Sequence, residues 1–288
     1  MFFGYPVDVF DKIIDNSCKS YFLCIIMKIS IIGYGNMAAA ICQGLLLDPE
    51  YYVHVASPSL IIGQLQPRLH THSNNLAILP DADVLILAVK PAQMATVLEE
   101  IRAYIPHNLL IISVAAGLGF SWFQHYLPPN TALVRALPNL AAACRQSATP
   151  LIANSWVTHL QHQQATAVFE QCGKITWAQH EEELDTYTAL SGSGVAYLLM
   201  FTDAMRKGAI TLGLDEDTAS SFAIQTLQGA ASLAALPDQT LSHLQDKITS
   251  KAGTTAAALA VFAQHQLTDT VLAAMTAAVE RSQTLRKE

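Results

Sequence analysis

Charged side chains are scarce in this sequence, and acids outnumber bases. Asp, Glu, Lys and Arg make up 14% of the 288 residues, and the formal net charge is −7. A chain with this balance has no general attraction to nucleic acid or to anionic lipid, so we expect neither as a partner. The hydrophobic fraction of 51% excludes a disordered chain and predicts a packed globular protein.

Cysteine is also sparse. The five cysteines form no CxxC or Cys/His pattern, which argues against a zinc site and against a disulfide framework. We therefore predict buried free thiols in a reducing cytosol. His159 and His162 could share a helix face, but no third ligand lies nearby in the sequence, so we predict no metal site.

The apolar stretch 21–26 is too short to span a bilayer. Acidic rather than basic residues precede it, and no small-residue cleavage site follows, so a secretory signal is not predicted either. We expect no contact with a membrane and a cytoplasmic location. Met27 and Lys28 open a clean strand, so residues 1–26 are treated as an N-terminal extension of unknown role.

Short apolar runs alternate with helical patterns over residues 27–180, and a first helix is predicted over 36–47. The predicted strands cover 29–32, 53–56, 84–89, 109–114 and 132–136, with weaker candidates at 151–152 and 174–177. Because most of these runs are largely apolar rather than alternating, they are typical of a parallel sheet covered on both faces. The fold class is therefore α/β, beginning with a Rossmann-like doubly wound domain.

Residues 184–288 carry no strand pattern. Helices are predicted over 195–212, 216–235, 239–248, 255–265 and 269–286. Asp215 and the pair Thr268-Asp269 stand where helix N-caps are expected. Several of these helices have wide apolar stripes, so we predict an all-α domain with one face covered by a second chain.

A glycine-rich turn lies between the first strand and the first helix. Gly33 permits the tight turn, Gly35 lets the backbone approach a pyrophosphate, and Ala38 keeps helix and strand close. Free amides at the helix N-terminus would then face the phosphates. The turn directly follows a predicted strand and opens a helix, a context that a chance glycine turn would lack. The sequence therefore predicts a bound dinucleotide.

The end of the second strand indicates which dinucleotide. A site for NAD usually has Asp or Glu there to hold the ribose hydroxyls. This chain has Ser57 and Ser59 instead, with no acid between them, which suits the 2′-phosphate of NADPH. No arginine adjoins Ser57, the nearest being Arg68. We predict NADPH as the cofactor, with NADH as an alternative.

Six motifs resemble, in the same order, those of the pyrroline-5-carboxylate reductase family. They lie at 33–37, 88–91 (AVKP), 115–117 (AAG), 135–139 (RALPN), 190–194 (LSGSG) and 253–255 (GTT). The resemblance extends from Met27 to the C-terminus. It implies a Rossmann domain over 27–180 and a helical dimerisation domain over 184–288, in a homodimer or an assembly of dimers. The active site would lie between the cofactor and the partner's helices.

The resemblance also assigns site residues. The implied cofactor contacts are Ile32, Gly33, Tyr34, Gly35, Asn36, Met37, Ser57, Asn75, Ala88, Val89, Lys90, Pro91, Val114, Ala115 and Ala116. The implied substrate contacts are Asp238, Thr254 and Thr255, and residues 191–194 would lie at a hinge-like entry to the helical domain.

The implied reaction reduces L-1-pyrroline-5-carboxylate, a cyclic imine carboxylate, to L-proline. An iminium carbon already accepts hydride well, so positioning and electrostatics can supply most of the catalysis. Ser250 and Gly253 precede a helix whose N-terminal amides would bind the carboxylate. Thr255 would hydrogen-bond the ring nitrogen or steady the proton donor; alternatively, Thr254 and Thr255 only cap the helix.

The chain departs from the family pattern at several positions. Lys251 and Ala252 replace Pro and Gly, Val195 replaces Pro, residues 140–141 replace Thr-Pro, and Asp238 stands where Glu is common. Because Ala252 does not readily adopt a positive φ, we expect a reshaped carboxylate site. Lys251 either adds a cation for an acidic substrate or faces solvent.

Two other functions stay open at this point. A β-hydroxyacid dehydrogenase has a similar two-domain plan but needs a lysine on its first long interdomain helix, and 188–205 contains none, Lys207 being the first. A non-catalytic dinucleotide-binding paralogue with a regulatory role is compatible with the altered loop at Lys251. Arg135 either lies beside the cofactor at a strand end or pairs with an interdomain carboxylate.

Overall fold

The computed structural model describes residues 26–238 and 240–287. The extension assigned to residues 1–26 lies outside this part of the chain except for Ile26, which is exposed. Of the helices in the described ranges, none is long and apolar enough to cross a membrane.

The N-terminal part is a nine-stranded sheet with helices between its strands. Its elements are β1 (Met27–Ile32), α1 (Asn36–Leu46), β2 (Tyr51–Ala56), β3 (Gly63–Gln66), β4 (Leu69–His72), β5 (Val84–Leu87), α2 (Pro91–Ile101), β6 (Leu110–Ser113), α3 (Phe120–Tyr126), β7 (Leu133–Ala136), β8 (Ser147–Ala153), α4 (His159–Glu170) and β9 (Gly173–Trp177). Short 3₁₀ helices cover Asn75–Ile78, Arg102–Tyr104 and Leu140–Cys144.

The strand order is β3-β4-β2-β1-β5-β6-β7-β8-β9. All pairs are parallel except β3 with β4 and β7 with β8. Apolar clusters cover both faces of the sheet, as the continuous apolar runs predict. One cluster contains Ile29, Ile31 and Val53, and the other contains Ile32, Leu85 and Leu87, so neighbouring residues of one strand face opposite layers.

The remaining elements are helical. They are α5 (Glu183–Tyr187), a π-helical turn (Thr188–Gly192), α6 (Gly194–Thr211), α7 (Glu216–Ala234), α8 (Leu241–Ile248), α9 (Thr254–Gln264) and α10 (Leu267–Lys287). Asp215 caps α7 as predicted, because its side chain accepts a hydrogen bond from the backbone N–H of Thr218 at 2.9 Å. Large apolar side chains of these helices are exposed in the single chain, including Met200, Leu212 and Phe222.

Several details differ from the sequence-based expectation, among them β8, which covers Ser147–Ala153 rather than 151–152. The third predicted strand ends at Leu87, so 88–89 belong to the loop. The polar strands β3 and β4 were not predicted. The last helix begins at Leu267, so Thr268 and Asp269 lie inside its first turn and do not cap it. Gln266 has φ 52° and separates α9 from α10 without a longer linker.

The cysteines also differ in part. Cys42 and Cys172 are buried free thiols, as predicted, and burial raises the pKa of Cys42 to about 12 and that of Cys172 to about 11. Cys144 is instead exposed, because it ends a short 3₁₀ helix that is only partly covered.

Candidate functional site

The predicted cofactor segments share one edge of the sheet. In register, Ile32 lies beside Ala56 on one neighbour and beside Leu87 on the other, and Leu87 lies beside Ser113. These four residues end parallel strands, so the loops that follow them emerge side by side. Because β1 connects to β2 on one side and pairs with β5 on the other, this edge is the topological switch point where such sheets bind ligands.

The glycine turn has the shape that a pyrophosphate needs. Gly33 has φ 95°, and a Cβ there would lie 2.8 Å from the carbonyl oxygen of Ala88. Gly35 is the N-cap of α1, and a Cβ on it would meet no atom within 4 Å. No side chain caps α1 and no acid lies in its first turn. The N-terminal amides are therefore free to face an anion.

Ser57 lies immediately after β2 and is buried. Its backbone N–H donates to the carbonyl oxygen of His72 at 3.0 Å, and its Oγ lies 3.1 Å from the Oγ of Ser59. Arg68 does not approach this end of the strand. Its guanidinium donates to the carbonyl oxygens of Leu46 (2.8 Å) and Tyr51 (3.2 Å) at the opposite end of β2.

The other predicted cofactor residues follow β4, β5 and β6, in loops or at the starts of short helices. Lys90 is the exposed N-cap of α2, with Pro91 at the first helical position. The backbone N–H of Val114 donates to the carbonyl oxygen of Leu87 at 3.1 Å, which fixes the start of the loop after β6. The Nδ2 of Asn75 donates to the Oε2 of Glu100 at 2.8 Å.

The predicted substrate loop lies in the helical part. Gly253 is the N-cap of α9, and no side chain caps this helix, so Thr254 and Thr255 are not its capping residues. The backbone N–H of Gly253 donates to the carbonyl oxygen of Ser250 at 3.0 Å. A Cβ on Gly253 would lie 2.2 Å from the Oγ of Ser250.

The expectation for Ala252 was wrong. This alanine has φ 59°, which is the left-handed conformation that glycine usually supplies. The turn that closes between Ser250 and Gly253 imposes it, at a local cost of about 1–2 kcal/mol. The predicted substrate loop thus keeps a glycine-like backbone despite the substitution.

The single chain brings most of the predicted cofactor residues together, but it does not bring the predicted substrate residues to them. The main packing partner of α9 is α10. Asp238 lies on a separate exposed turn after α7, with φ 60°. Ser250 and Thr254 are also exposed, so the substrate loop and Asp238 each have an open side.

Two polar contacts lie at the junction between the sheet and the helical part; the first was not predicted, and the second is one of the two roles left open for Arg135. The Nδ2 of Asn139 donates to the carbonyl oxygen of Ser191 at 2.9 Å, within the π-helical turn Thr188–Gly192. Such π-helical turns are frequent at functional sites. Arg135 forms an ion pair with Glu181 at 2.6 Å, which decides between its two open roles in favour of the carboxylate. In the sequence, only the LSGSG and RALPN motifs pointed to these contacts.

The fold and the glycine-turn edge are those of a dinucleotide-binding protein with an added helical domain. Residues 181–285 match the family described as pyrroline-5-carboxylate reductase dimerisation. Residues 28–117 match the family described as NADP oxidoreductase, coenzyme F420-dependent.

Full-length comparisons agree. The chain is 37% identical over 267 residues to pyrroline-5-carboxylate reductase of Vibrio alginolyticus, covering 90% of this chain and 98% of that one. The solved pyrroline-5-carboxylate reductase of Coxiella burnetii superposes with a TM-score of 0.84 at 33% identity, covering 91% and 100%. The Plasmodium falciparum enzyme with NADP bound gives 0.81 at 25% identity, covering 91% and 99%. The chain belongs to the pyrroline-5-carboxylate reductase family.

Proposed function

We propose that this protein catalyses the NAD(P)H-dependent reduction of L-1-pyrroline-5-carboxylate to L-proline, the last step of proline biosynthesis. The observation that carries the proposal is the shared carboxyl edge of β1, β2, β5 and β6, together with the family membership of the whole chain. The geometry at Gly33 and Gly35 fits a pyrophosphate, because Gly35 and Asn36 are exposed at the start of α1 and no side chain caps this helix.

The chain's own residues bind and orient the reactants. When bound, the dinucleotide supplies hydride to the imine carbon. The backbone around Gly253 and the hydroxyl of Thr255 hold the carboxylate and the ring nitrogen, so that the imine carbon lies in reach of that hydride. The amides at the start of α9 offset the negative charge of the substrate in a protein whose net charge is −7.

NADPH is the preferred cofactor in this proposal. Ser57 and Ser59 offer hydroxyls to the 2′-phosphate, and an acid that would repel it is missing from the sequence 57–62. Arg68 does not contribute, since its guanidinium is bonded to carbonyl oxygens at the other end of β2. The preference therefore depends on neutral donors and is expected to be moderate, with NADH also used.

A homodimer, or an assembly of dimers, completes the site. The exposed apolar side chains of α6 and α7, such as Met200 and Phe222, are the kind of surface that a second copy covers. The open sides of the substrate loop and of Asp238 would then face the partner. We place the enzyme in the cytoplasm, with a small imine carboxylate as its substrate and without a nucleic-acid or membrane partner.

A non-catalytic paralogue is the main competing function, because Lys251 and Ala252 depart from the family pattern. The φ of 59° at Ala252 favours the reductase, since the loop retains the backbone shape that glycine would give. A β-hydroxyacid dehydrogenase is disfavoured because the first lysine of α6, Lys207, lies near the end of that helix, where it is exposed and paired with Asp203 at 2.7 Å.

One assay separates the three functions. NADPH oxidation is followed with L-1-pyrroline-5-carboxylate, cofactor binding is measured in parallel, and a hydroxyacid with NAD is the comparison reaction. The proposal predicts turnover with proline as product. Binding without turnover would support the paralogue, and turnover only with the hydroxyacid would support the dehydrogenase.

A further inference from the structure

One carboxylate oxygen links the start of α3 to strand β7 at the entry to the helical domain. The Oε1 of Glu181 accepts from the backbone N–H of Phe120 at 2.7 Å and from the Nη1 of Arg135 at 2.6 Å. Phe120 begins α3 directly after the loop 114–119, whereas Arg135 lies in β7. Glu181 therefore ties the far end of that loop to the sheet.

The buried side chain of Arg135 holds the Glu181 carboxylate in place. Its side chain is only 4% exposed, and Glu181 is its ion-pair partner. Asp185 adds a weaker attraction, and burial lowers the pKa of the Arg135 guanidinium. A buried cation that loses its carboxylate is strongly unfavourable, so the pair resists separation.

The last turn of α10 encloses the same loop from another side. Gly117 has φ 80°, and a Cβ on it would lie 3.3 Å from the Cβ of Leu285. A Cβ on Gly119 would lie 3.5 Å from the Oε1 of Glu181 and 3.7 Å from the Cδ of Arg286. Arg286 is itself held by Asp185 at 2.9 Å. Residues 117–119 are thus confined between the carboxylate and the helix end.

We infer that Glu181 is a positioning residue for hydride transfer, acting through the loop 114–119. The inference rests on the proposed function, in which residues 114–116 contact the cofactor. In this proposal the adenosine half of the cofactor lies by β2. The loop after β6 lies on the opposite side of β1, so it adjoins the half of the cofactor that carries the hydride. A hydride transfer that depends on the positions of the reactants is sensitive to small displacements of this loop.

The test compares Glu181→Ala and Glu181→Gln with Glu182→Ala and Glu182→Gln. Glu182 is the adjacent exposed acid, and no side-chain hydrogen bond or ion pair of it occurs in the described part of the chain. The readouts are kcat, the KM for NADPH and the deuterium isotope effect with NADPH deuterated at the transferred position. We expect Glu181→Ala to lower kcat by about tenfold or more and to raise the isotope effect, because hydride transfer becomes slower.

Glu181→Gln should be intermediate, because its amide oxygen can still accept from Phe120 while the charge opposite Arg135 is lost. If Glu181→Ala does not fold, this variant decides the question. Glu181 variants with a lower Tm but with the kcat and isotope effect of the Glu182 controls would overturn the inference. Wild type that binds NADPH but never reduces the imine would contradict the proposed function and with it this inference, so the two failures are distinguishable.

Discussion

The side chain of Asn139 connects the loop after β7 to the π-helical turn at the start of the helical domain. Its Nδ2 donates to the carbonyl oxygen of Ser191 at 2.9 Å, and its Oδ1 accepts from the backbone N–H of Ala141 at 3.0 Å. The residue is only 7% exposed. One amide group therefore fixes the relative placement of the RALPN and LSGSG motifs.

Replacing Asn139 with Ala should destabilise the protein. The change leaves two partly buried backbone groups without their partner, at an expected cost of about 1–3 kcal/mol in the free energy of unfolding. Urea unfolding measures this, with Asn108→Ala as the exposed control, for which a change within about 0.5 kcal/mol is expected. Equal effects of the two substitutions would show that the Asn139 bonds contribute nothing.

Gly33 and Gly35 should respond differently to alanine. Gly33→Ala introduces a Cβ at φ 95° against the Ala88 carbonyl, so both stability and cofactor binding should fall. Gly35→Ala places its Cβ in open space, so Tm should stay near that of wild type while NADPH affinity falls, because the methyl group occupies the pyrophosphate position. Thermal unfolding and NADPH titration check the pair, and unchanged affinity in Gly35→Ala would place the pyrophosphate elsewhere.

Ser57→Asp should shift cofactor selectivity. A carboxylate at this buried position repels the 2′-phosphate but can accept hydrogen bonds from the ribose hydroxyls of NADH. We expect the KM for NADPH to rise by about tenfold or more and that for NADH to change little, since one close repulsion of about 1.4 kcal/mol is a factor of ten. Ser57→Ala is the neutral control. Parallel changes for both cofactors would contradict the assignment of Ser57.

Thr255→Ala should separate binding from catalysis. Thr255 is the second residue of α9 and is not part of the loops that follow β1, β2, β5 and β6, so the dissociation constant of NADPH should stay unchanged while the reductase rate falls. Thr255→Ser retains the hydroxyl and should preserve most of the rate. Steady-state kinetics and NADPH titration check both variants, and undiminished turnover in Thr255→Ala would remove this residue from the proposed site.

The cofactor edge was predictable because its signals are local. The parallel strands β1, β2 and β6 are short, largely apolar runs, and Gly33, Ser57 and Val114 directly follow them. Once these strands are predicted, the positions of the loops that follow them are known. The strands β3 and β4 were missed because the sequences of Gly63–Gln66 and Leu69–His72 are mostly polar, and β3 is an exposed edge strand.

The junction could not be predicted from residue patterns. Glu181 is 46 positions from Arg135, and Ser191 is 52 positions from Asn139, so no periodicity or spacing relates them. The conformation of Ala252 was also unpredictable, because intrinsic preference disfavours it and only the closed turn at Ser250 imposes it. Tertiary contacts override local preference at these positions.

The central claim is that this chain transfers hydride from its dinucleotide to an imine carbon. The most direct test incubates the enzyme with L-1-pyrroline-5-carboxylate and NADPH deuterated at the transferred position, and then analyses the product by mass spectrometry and NMR. The proposed function predicts L-proline with one deuterium on the ring carbon that had been the imine carbon. Bound cofactor without labelled proline would contradict it.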